Sequence, residues 1–270
     1  MKTVQNALFT KEIDRINMTF STVSYAELDS CWEFETLGAP YTRVYLVESG
    51  EAKIWCDGEE ITLSGGNVYI IPANTPFSCK CEDYMNKIFF HINVLRYNNY
   101  DILDGCKHCI VLKEREFEIA LAKKLLSKDD VNAVLTMKSV VLNLLIAAIE
   151  QEGIQLGKIE EYSESIKKAL SLIEKNLSAE LRIPDIAEKL YISESRLQKD
   201  FKKQIGVPIG KYINDRLMSR ALELICENKL PVKEISELLG FCDQFYFSRR
   251  FTQYFGVSPS NYKKRVYPKF

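Results

Sequence analysis

The chain has 270 residues, of which 46% are hydrophobic and 27% charged, a composition that excludes a disordered or fibrous polymer and allows one large domain or two ordinary ones. Its net charge of −1 hides a division, because residues 163–270 hold 20 Lys plus Arg against 13 Asp plus Glu, a net of +7, while the remainder carries −8. A basic part joined to an acidic part is the charge footprint of a phosphate-binding module carried by a different one. No signal peptide is visible at Met1-Lys2-Thr3, and the apolar run Val140 to Ile149 is short for a bilayer and contains Asn143, so a cytoplasmic protein without membrane contact is expected. In that compartment the eight cysteines stay reduced.

In chain order, Met1 to Ser30 reads as an arm with one possible strand near Met18 to Tyr25. From Cys31 to Val94 short β segments alternate with turn signals: Trp32 to Thr36, Arg43 to Glu48, Ala52 to Cys56, Glu60 to Leu63, Val68 to Ile71 and Lys87 to Val94. The turns are Gly38-Ala39-Pro40, Ser49-Gly50-Glu51, Asp57-Gly58, Ser64-Gly65-Gly66-Asn67 and Pro72 to Pro76. Short strands at this spacing predict a sandwich or small barrel. Cys79-x-Cys81 with Cys106-x-x-Cys109 and His108 could supply a zinc site, but Cys109 opens the apolar strand Cys109 to Leu112 and Cys-x-Cys is a poor zinc knuckle, so no metal is expected.

Two helices follow. Glu114 to Leu126 is amphipathic, with Phe117, Leu121 and Leu125 on one side. Val131 to Glu150 is apolar nearly all round: Val134, Val141, Leu145 and Ala148 mark one stripe, and Leu135, Leu142, Ile146 and Ile149 a second. Two stripes fit either a fully buried helix or a homodimer interface. The polar stretch around Gly153 and Gly157 predicts a linker, giving an N-terminal domain over 1–152, a linker over 153–162 and a C-terminal all-α domain over 163–270.

The C-terminal domain contains one pattern twice, with a period of about fifty residues. Laying Phe201 on Phe251 also lays Leu197 on Phe247, Gly206 on Gly256 and Tyr212 on Tyr262, while Lys199 meets Arg249. Each copy is a short helix, a turn and a longer helix. The first longer helix opens at the N-cap Ser193, buries Leu197, Phe201 and Ile205, and presents Ser195, Gln198, Lys199 and Lys202 on its other face. The second opens at Asp243, buries Phe247, Phe251 and Phe255, and turns Phe245, Ser248, Arg249 and Thr252 outward. Rows of cationic and hydrogen-bonding side chains on an exposed helix suit the major groove of DNA.

Ile183 to Lys264 resembles the paired helix-turn-helix domain of AraC/XylS-type transcription regulators. The likeness rests on Ile235-Ser236-Glu237-Leu238-Leu239-Gly240-Phe241, on Tyr246-Phe247-Ser248-Arg249-Arg250-Phe251 and on Tyr254-Phe255-Gly256-Val257-Ser258-Pro259-Ser260-Asn261-Tyr262. It departs at Phe245, where a small polar residue is common, and at Cys242, where Ser, Asn or Asp is usual. The DNA-contacting candidates are Ser195, Arg196, Gln198, Lys199, Lys202, Gln244, Phe245, Tyr246, Arg249 and Arg250. More loosely, the stretch from Ser49-Gly50 to Ile71-Pro72 resembles the cupin-type sensor domain that precedes such pairs.

These resemblances imply an α+β chain of two domains: a cupin-like β-barrel or jelly roll with following helices, then an all-α double helix-turn-helix. They imply a non-enzymatic transcription regulator of the activator class, whose partners are double-stranded DNA, RNA polymerase, a second copy through Val131–Glu150 and a small-molecule effector such as a sugar or related metabolite. Metal-dependent cupins need a cluster of histidines, and this chain has two histidines in total. An organic ligand therefore suits the barrel better, with Trp32, Arg43, Tyr45, Tyr69, Phe77, Phe89 and His91 as candidate contacts, each of which could equally be core. The competing readings are a metal-dependent cupin enzyme with a fused DNA-binding tail and a sensor domain that binds a protein.

Overall fold

The computed structural model describes residues 16–36, 38–96, 98–154, 162–227 and 229–266. The chain forms two compact units, Met1–Lys158 and Ile159–Phe270. Most of the expected linker, residues 155–161, lies outside the described residues, as does the start of the expected N-terminal arm.

The N-terminal unit is built on eight antiparallel strands among the described residues: β1 (Asn17–Leu28), β2 (Glu33–Thr36), β3 (Thr42–Cys56), β4 (Glu59–Ser64), β5 (Val68–Ile71), β6 (Phe77–Lys80), β7 (Met85–Leu95) and β8 (Ile110–Leu112). One sheet runs β1-β7-β3-β5-β8, and β3 continues into a second sheet with β4 and β6, where β6 also pairs β2. Two expectations are corrected here and one is extended. The possible strand near Met18 to Tyr25 is present and runs over 12 residues paired with β7. Phe77 to Lys80, read as no strand, is β6. Ser49-Gly50-Glu51, read as a turn, is a bend inside one 15-residue strand.

The bend has a steric cause. Gly50 adopts a φ of 77°, a region costly for side-chain-bearing residues, and a Cβ there would stand 2.2 Å from the Tyr84 carbonyl oxygen. The register also slips between Val47 and Ser49, the bulge that lets one strand leave the first sheet and enter the second.

Period-2 alternation gives the first sheet two apolar faces. Outward, Val44, Leu46, Ile70, Ile88 and Phe90 form a core with helices α1 (Glu116–Leu126) and α2 (Val131–Gln151). Inward, Tyr45, Val47, Tyr69 and Ile71 meet Ile54, Leu63, Phe77 and Cys79 of the second sheet. On α1 the buried side chains are Ile119, Ala122 and Leu125, not Phe117, which is largely exposed. The packed face is thus rotated from the one that residue size suggested.

On α2, capped where Asp130 Oδ1 accepts the Ala133 N–H at 2.8 Å, Val141, Leu145 and Ala148 are buried as expected, joined by Met137 and Leu144. Val134, placed with them by the sequence, faces solvent along with Val131, Leu135, Leu142 and Ile146. This helix is longer than the apolar run suggested, and by length and composition it could cross a membrane. Its buried face against the sheet gives it the position of a core helix instead.

The C-terminal unit is helical: α3 (Glu164–Lys175), α4 (Ile183–Lys189), α5 (Glu194–Ile205), α6 (Ile209–Glu227), α7 (Val232–Leu238), α8 (Gln244–Phe255) and α9 (Pro259–Val266). Ile166, Leu170 and Ile173 turn α3 inward, and Arg216 Nε and Nη2 donate to the two carboxylate oxygens of Glu174 at 2.9 and 3.2 Å, fastening α6 to α3. The long α6 packs against α5 and against α7 and α9, so it ties the two copies together.

Candidate nucleic-acid interface and ligand-binding interior

The two copies are built by the same local physics. Ser193 Oγ accepts the Arg196 N–H at 3.3 Å at the start of α5, and Asp243 Oδ1 accepts the Tyr246 N–H at 2.7 Å at the start of α8. That backbone hydrogen bond, with Arg249 nearby as a lesser cause, holds the Asp243 carboxyl below the usual carboxylate range. Both helices end at a glycine, Gly206 and Gly256, whose φ of 88° and 74° stops the helix in the left-handed conformation. Each N-cap side chain, Ser193 and Asp243, contributes about 0.5–2 kcal/mol.

Burial then fixes which face is free. Leu197, Phe201, Phe247 and Phe251 are fully buried, Ile205 nearly so, and Phe255 is half-buried against Phe251, their ring centroids 4.5 Å apart. Ser195, Arg196, Gln198, Lys199 and Lys202 are exposed on α5. Arg196 pairs with Asp200 at 3.5 Å, and Gln198 donates to Glu194 at 2.7 Å. On α8, Phe245 is 77% exposed, and Phe245, Ser248, Arg249, Thr252 and Gln253 line one shallow groove. Gln244 is half-buried. The other two candidates point elsewhere: Arg250 Nη1 donates to the Tyr246 hydroxyl at 3.1 Å and Nη2 donates to Asn214 Oδ1 on α6. Tyr246 and Arg250 therefore hold α8 on α6, and the outward row is Phe245, Ser248, Arg249 and Thr252.

In the N-terminal unit the register sets Arg43 opposite His91 and Tyr45 opposite Phe89, so all four share the inner face. Trp32 and Phe77 reach the same interior through Phe34, with ring centroids 5.8 and 5.9 Å away. Tyr69 is buried there, but its hydroxyl is occupied by the backbone of β4, accepting from the Ser64 N–H at 2.8 Å and donating to the Thr62 carbonyl at 3.0 Å. His91 stacks on Tyr41 at 4.3 Å, and burial together with the charges of Arg43 and Lys87 pushes its pKa down to about 3.

Two interior residues escaped the sequence reading, Tyr41 and Lys87. Lys87 is 4% exposed, with Nζ 3.5 Å from the Tyr45 ring centroid and 4.1 Å from that of Trp32. Burial lowers its pKa to about 7, with Arg43 adding to the shift. The signal was present: Lys87, Phe89 and His91 are alternate residues of one strand, so the face that holds the last two must hold the first.

The cysteines considered for zinc are not gathered. Cys79, Cys81 and Cys109 are buried among apolar groups, and burial pushes the Cys79 thiol up to about 12. Cys106 lies beside His108 nearer the surface, where His108 Nε2 is 2.9 Å from Glu152.

A two-sheet β unit with an aromatic inner face, followed by two capped helix-turn-helix units on a shared helix, defines a two-domain DNA-binding transcription regulator. A family model described as a helix-turn-helix domain matches residues 186–265. The Msm operon regulatory protein of Streptococcus mutans is 28% identical over 239 residues, covering 83% of this chain and 84% of that protein. The HTH-type transcriptional activator AarP of Providencia stuartii is 36% identical over 101 residues, or 37% of this chain and 75% of AarP. Among solved structures, ToxT from Vibrio cholerae shares the fold with a TM-score of 0.53 over 91% of this chain and 98% of its own, at 16% identity. The chain belongs to the AraC/XylS family of transcription regulators.

Proposed function

We propose that this regulator is a non-enzymatic, effector-controlled activator that reads a specific operator with α5 and α8 in successive major grooves. The observation that carries the reading is the duplication itself: two capped helices with buried aromatic cores and matched cationic outer positions, Lys199 and Arg249. The connecting α6 has 19 residues, about 28 Å at the rise of an α-helix, which suits recognition helices set near one ~34 Å turn of B-DNA. A small molecule in the N-terminal interior sets the response, and RNA polymerase is the downstream partner. The domain division, 1–152 and 163–270 about a linker, belongs to the same proposal. So does a cytoplasmic location, which the eight free thiols support.

Lys199→Ala and Arg249→Ala should each weaken operator binding by about 1–3 kcal/mol, the worth of one good base contact, and leave the melting temperature unchanged because both side chains are exposed. Mobility shifts on the native operator measure this. Wild-type affinity in both variants would remove the assignment of these helices as readers.

The second copy docks, in this reading, through the outer stripe of α2. Val131, Leu135, Leu142 and Ile146 follow heptad-like spacing and are all exposed, and a twofold axis lays such a stripe on itself. Leu142→Glu with Ile146→Glu should give a folded monomer in sedimentation and weaken binding to paired operator sites by about 10²-fold through lost avidity. A wild-type chain that is already monomeric at working concentration, with paired-site affinity untouched in the variant, would contradict the interface. Val141 and Leu145 cannot serve in this test, since both are core.

A further inference from the structure

Arg43 and Lys87 lie on adjacent strands and face the same interior, Lys87 being opposite Val47 and Arg43 opposite His91. They are 6% and 4% exposed. Among the described residues neither side chain makes a hydrogen bond or an ion pair, and Arg43 Nη1 is a buried donor with no acceptor. Among the described residues the ion pairs of this unit lie elsewhere, at Lys53–Glu60, His108–Glu152, Arg115–Glu118 and Lys123–Glu48. What surrounds the two cations is mainly aromatic, with the buried thiols of Cys79 and Cys81 also close to Lys87: Arg43 Cζ is 5.0 Å from the Tyr41 ring centroid and 5.1 Å from that of Phe77, and Lys87 sits over Tyr45 and Trp32. The neighbouring strand β1 adds Thr22, Ser24 and Ala26, opposite His91, Phe89 and Lys87, and none of them carries charge.

Burying one cation without a counter-ion is unfavourable, and burying two that repel each other is more so. Cation–π contacts recover part of that cost, but they leave the guanidinium donors unused. After burial itself, the charges of Arg43 and Lys87 both oppose protonation of His91, as two cations facing the same interior would. Two buried cations with no acidic side chain paired to them are a donor pair that an anionic group would satisfy.

We propose that this interior takes an organic acid anion, a carboxylate or phosphate monoester on a ring-shaped body, with the anionic group between Arg43 and Lys87 and the ring against Trp32, Tyr41 and Phe77. The proposal rests on the reading of the N-terminal unit as an effector domain and names the chemical class of the effector. A neutral sugar would leave both cations unpaired, whereas its phosphate would satisfy them. Guanidinium and ammonium together hold either acid through charge-assisted hydrogen bonds.

The chain has two tryptophans, so the full-length Trp55→Phe variant reports on Trp32 alone. It is titrated with glucose 6-phosphate against glucose, and with benzoate against benzyl alcohol, following Trp32 emission and melting temperature. At least one acid should give a saturable change that its neutral counterpart lacks, with the pair that responds separating a sugar phosphate from an aromatic carboxylate. Lys87→Met and Arg43→Met should each weaken that response by about tenfold or more. Ligand-free Lys87→Met should melt higher than its parent, because a buried unpaired charge has gone; a lysine held there only for packing against Trp32 and Tyr45 would make it melt lower. Neutral compounds matching the acids, acid binding undiminished in both variants, no acid response at all, or a lower melting temperature for Lys87→Met would each overturn the anion class. DNA affinity measured in parallel separates the two readings. A neutral metabolite that alters operator binding in the Lys87→Met chain leaves effector control standing and removes only the anion, whereas anion binding that never changes operator affinity removes effector control itself.

Discussion

Phe251→Ala is expected to destabilise the C-terminal unit by about 3–5 kcal/mol, the usual cost of emptying a fully packed aromatic position. Phe251 has no exposed surface, and its ring centroid lies 5.8 Å from Phe247, 4.5 Å from Phe255 and 6.0 Å from Tyr262. Removing it opens a cavity at the junction of α8 and α9, where rigid neighbours can refill little of the space. Both tryptophans, Trp32 and Trp55, lie in the N-terminal unit, so urea unfolding followed by tryptophan emission reports that unit while ellipticity at 222 nm follows the helices. The helical transition should move to lower urea and the tryptophan transition should stay. A shift below about 1 kcal/mol would mean that the aromatic cluster is loosely packed.

Gly50→Val should have the opposite signature. A valine at a φ of 77° costs about 1–2 kcal/mol for the left-handed backbone, and its Cβ, 2.2 Å from the Tyr84 oxygen, adds about 1–3 kcal/mol as the chain shifts to admit it. The bend that joins the two sheets is where the strain falls, so the tryptophan transition should move and the helices of the C-terminal unit should remain folded. Equal stability in the variant would show that β3 can turn between the sheets without a left-handed residue.

How much of this was legible in the sequence depends on how many residues share one constraint. The duplicated unit was legible because Phe201 and Phe251, Gly206 and Gly256, and Ser193 and Asp243 each do the same job at matched positions. Local signals were less decisive in the β unit. Ser49-Gly50-Glu51 carries ordinary turn chemistry, yet the strand runs through it, because pairing of Ser49 and Gly50 with Asn86 and Met85 and of Glu51 with Ser64 continues the ladder across the bend. Phe117 looked like core and is exposed, since the sheet meets the side of α1 that carries Ile119 and Ala122. Size alone could not show that.

The candidate sites divide in the same way. Exposure of Lys199 and Arg249 follows from burial of the phenylalanines beneath them, so helical period was enough to place them. Arg250 also sits on α8, but its partner Asn214 is 36 residues away on another helix, a contact that no local period reveals. Lys87 was passed over because lysine is seldom buried, although the alternation of β7 put it beside Phe89 and His91. A residue type that contradicts its position is the kind of site where local rules yield to function.

Hydroxyl-radical footprinting of the full-length chain on its operator tests the central claim most directly. Two protected segments on one face of the duplex, separated by about one helical turn, are expected for each copy of the chain, with Lys199→Ala weakening one segment and Arg249→Ala the other. A single protected segment per chain, lost equally in both variants, would contradict it.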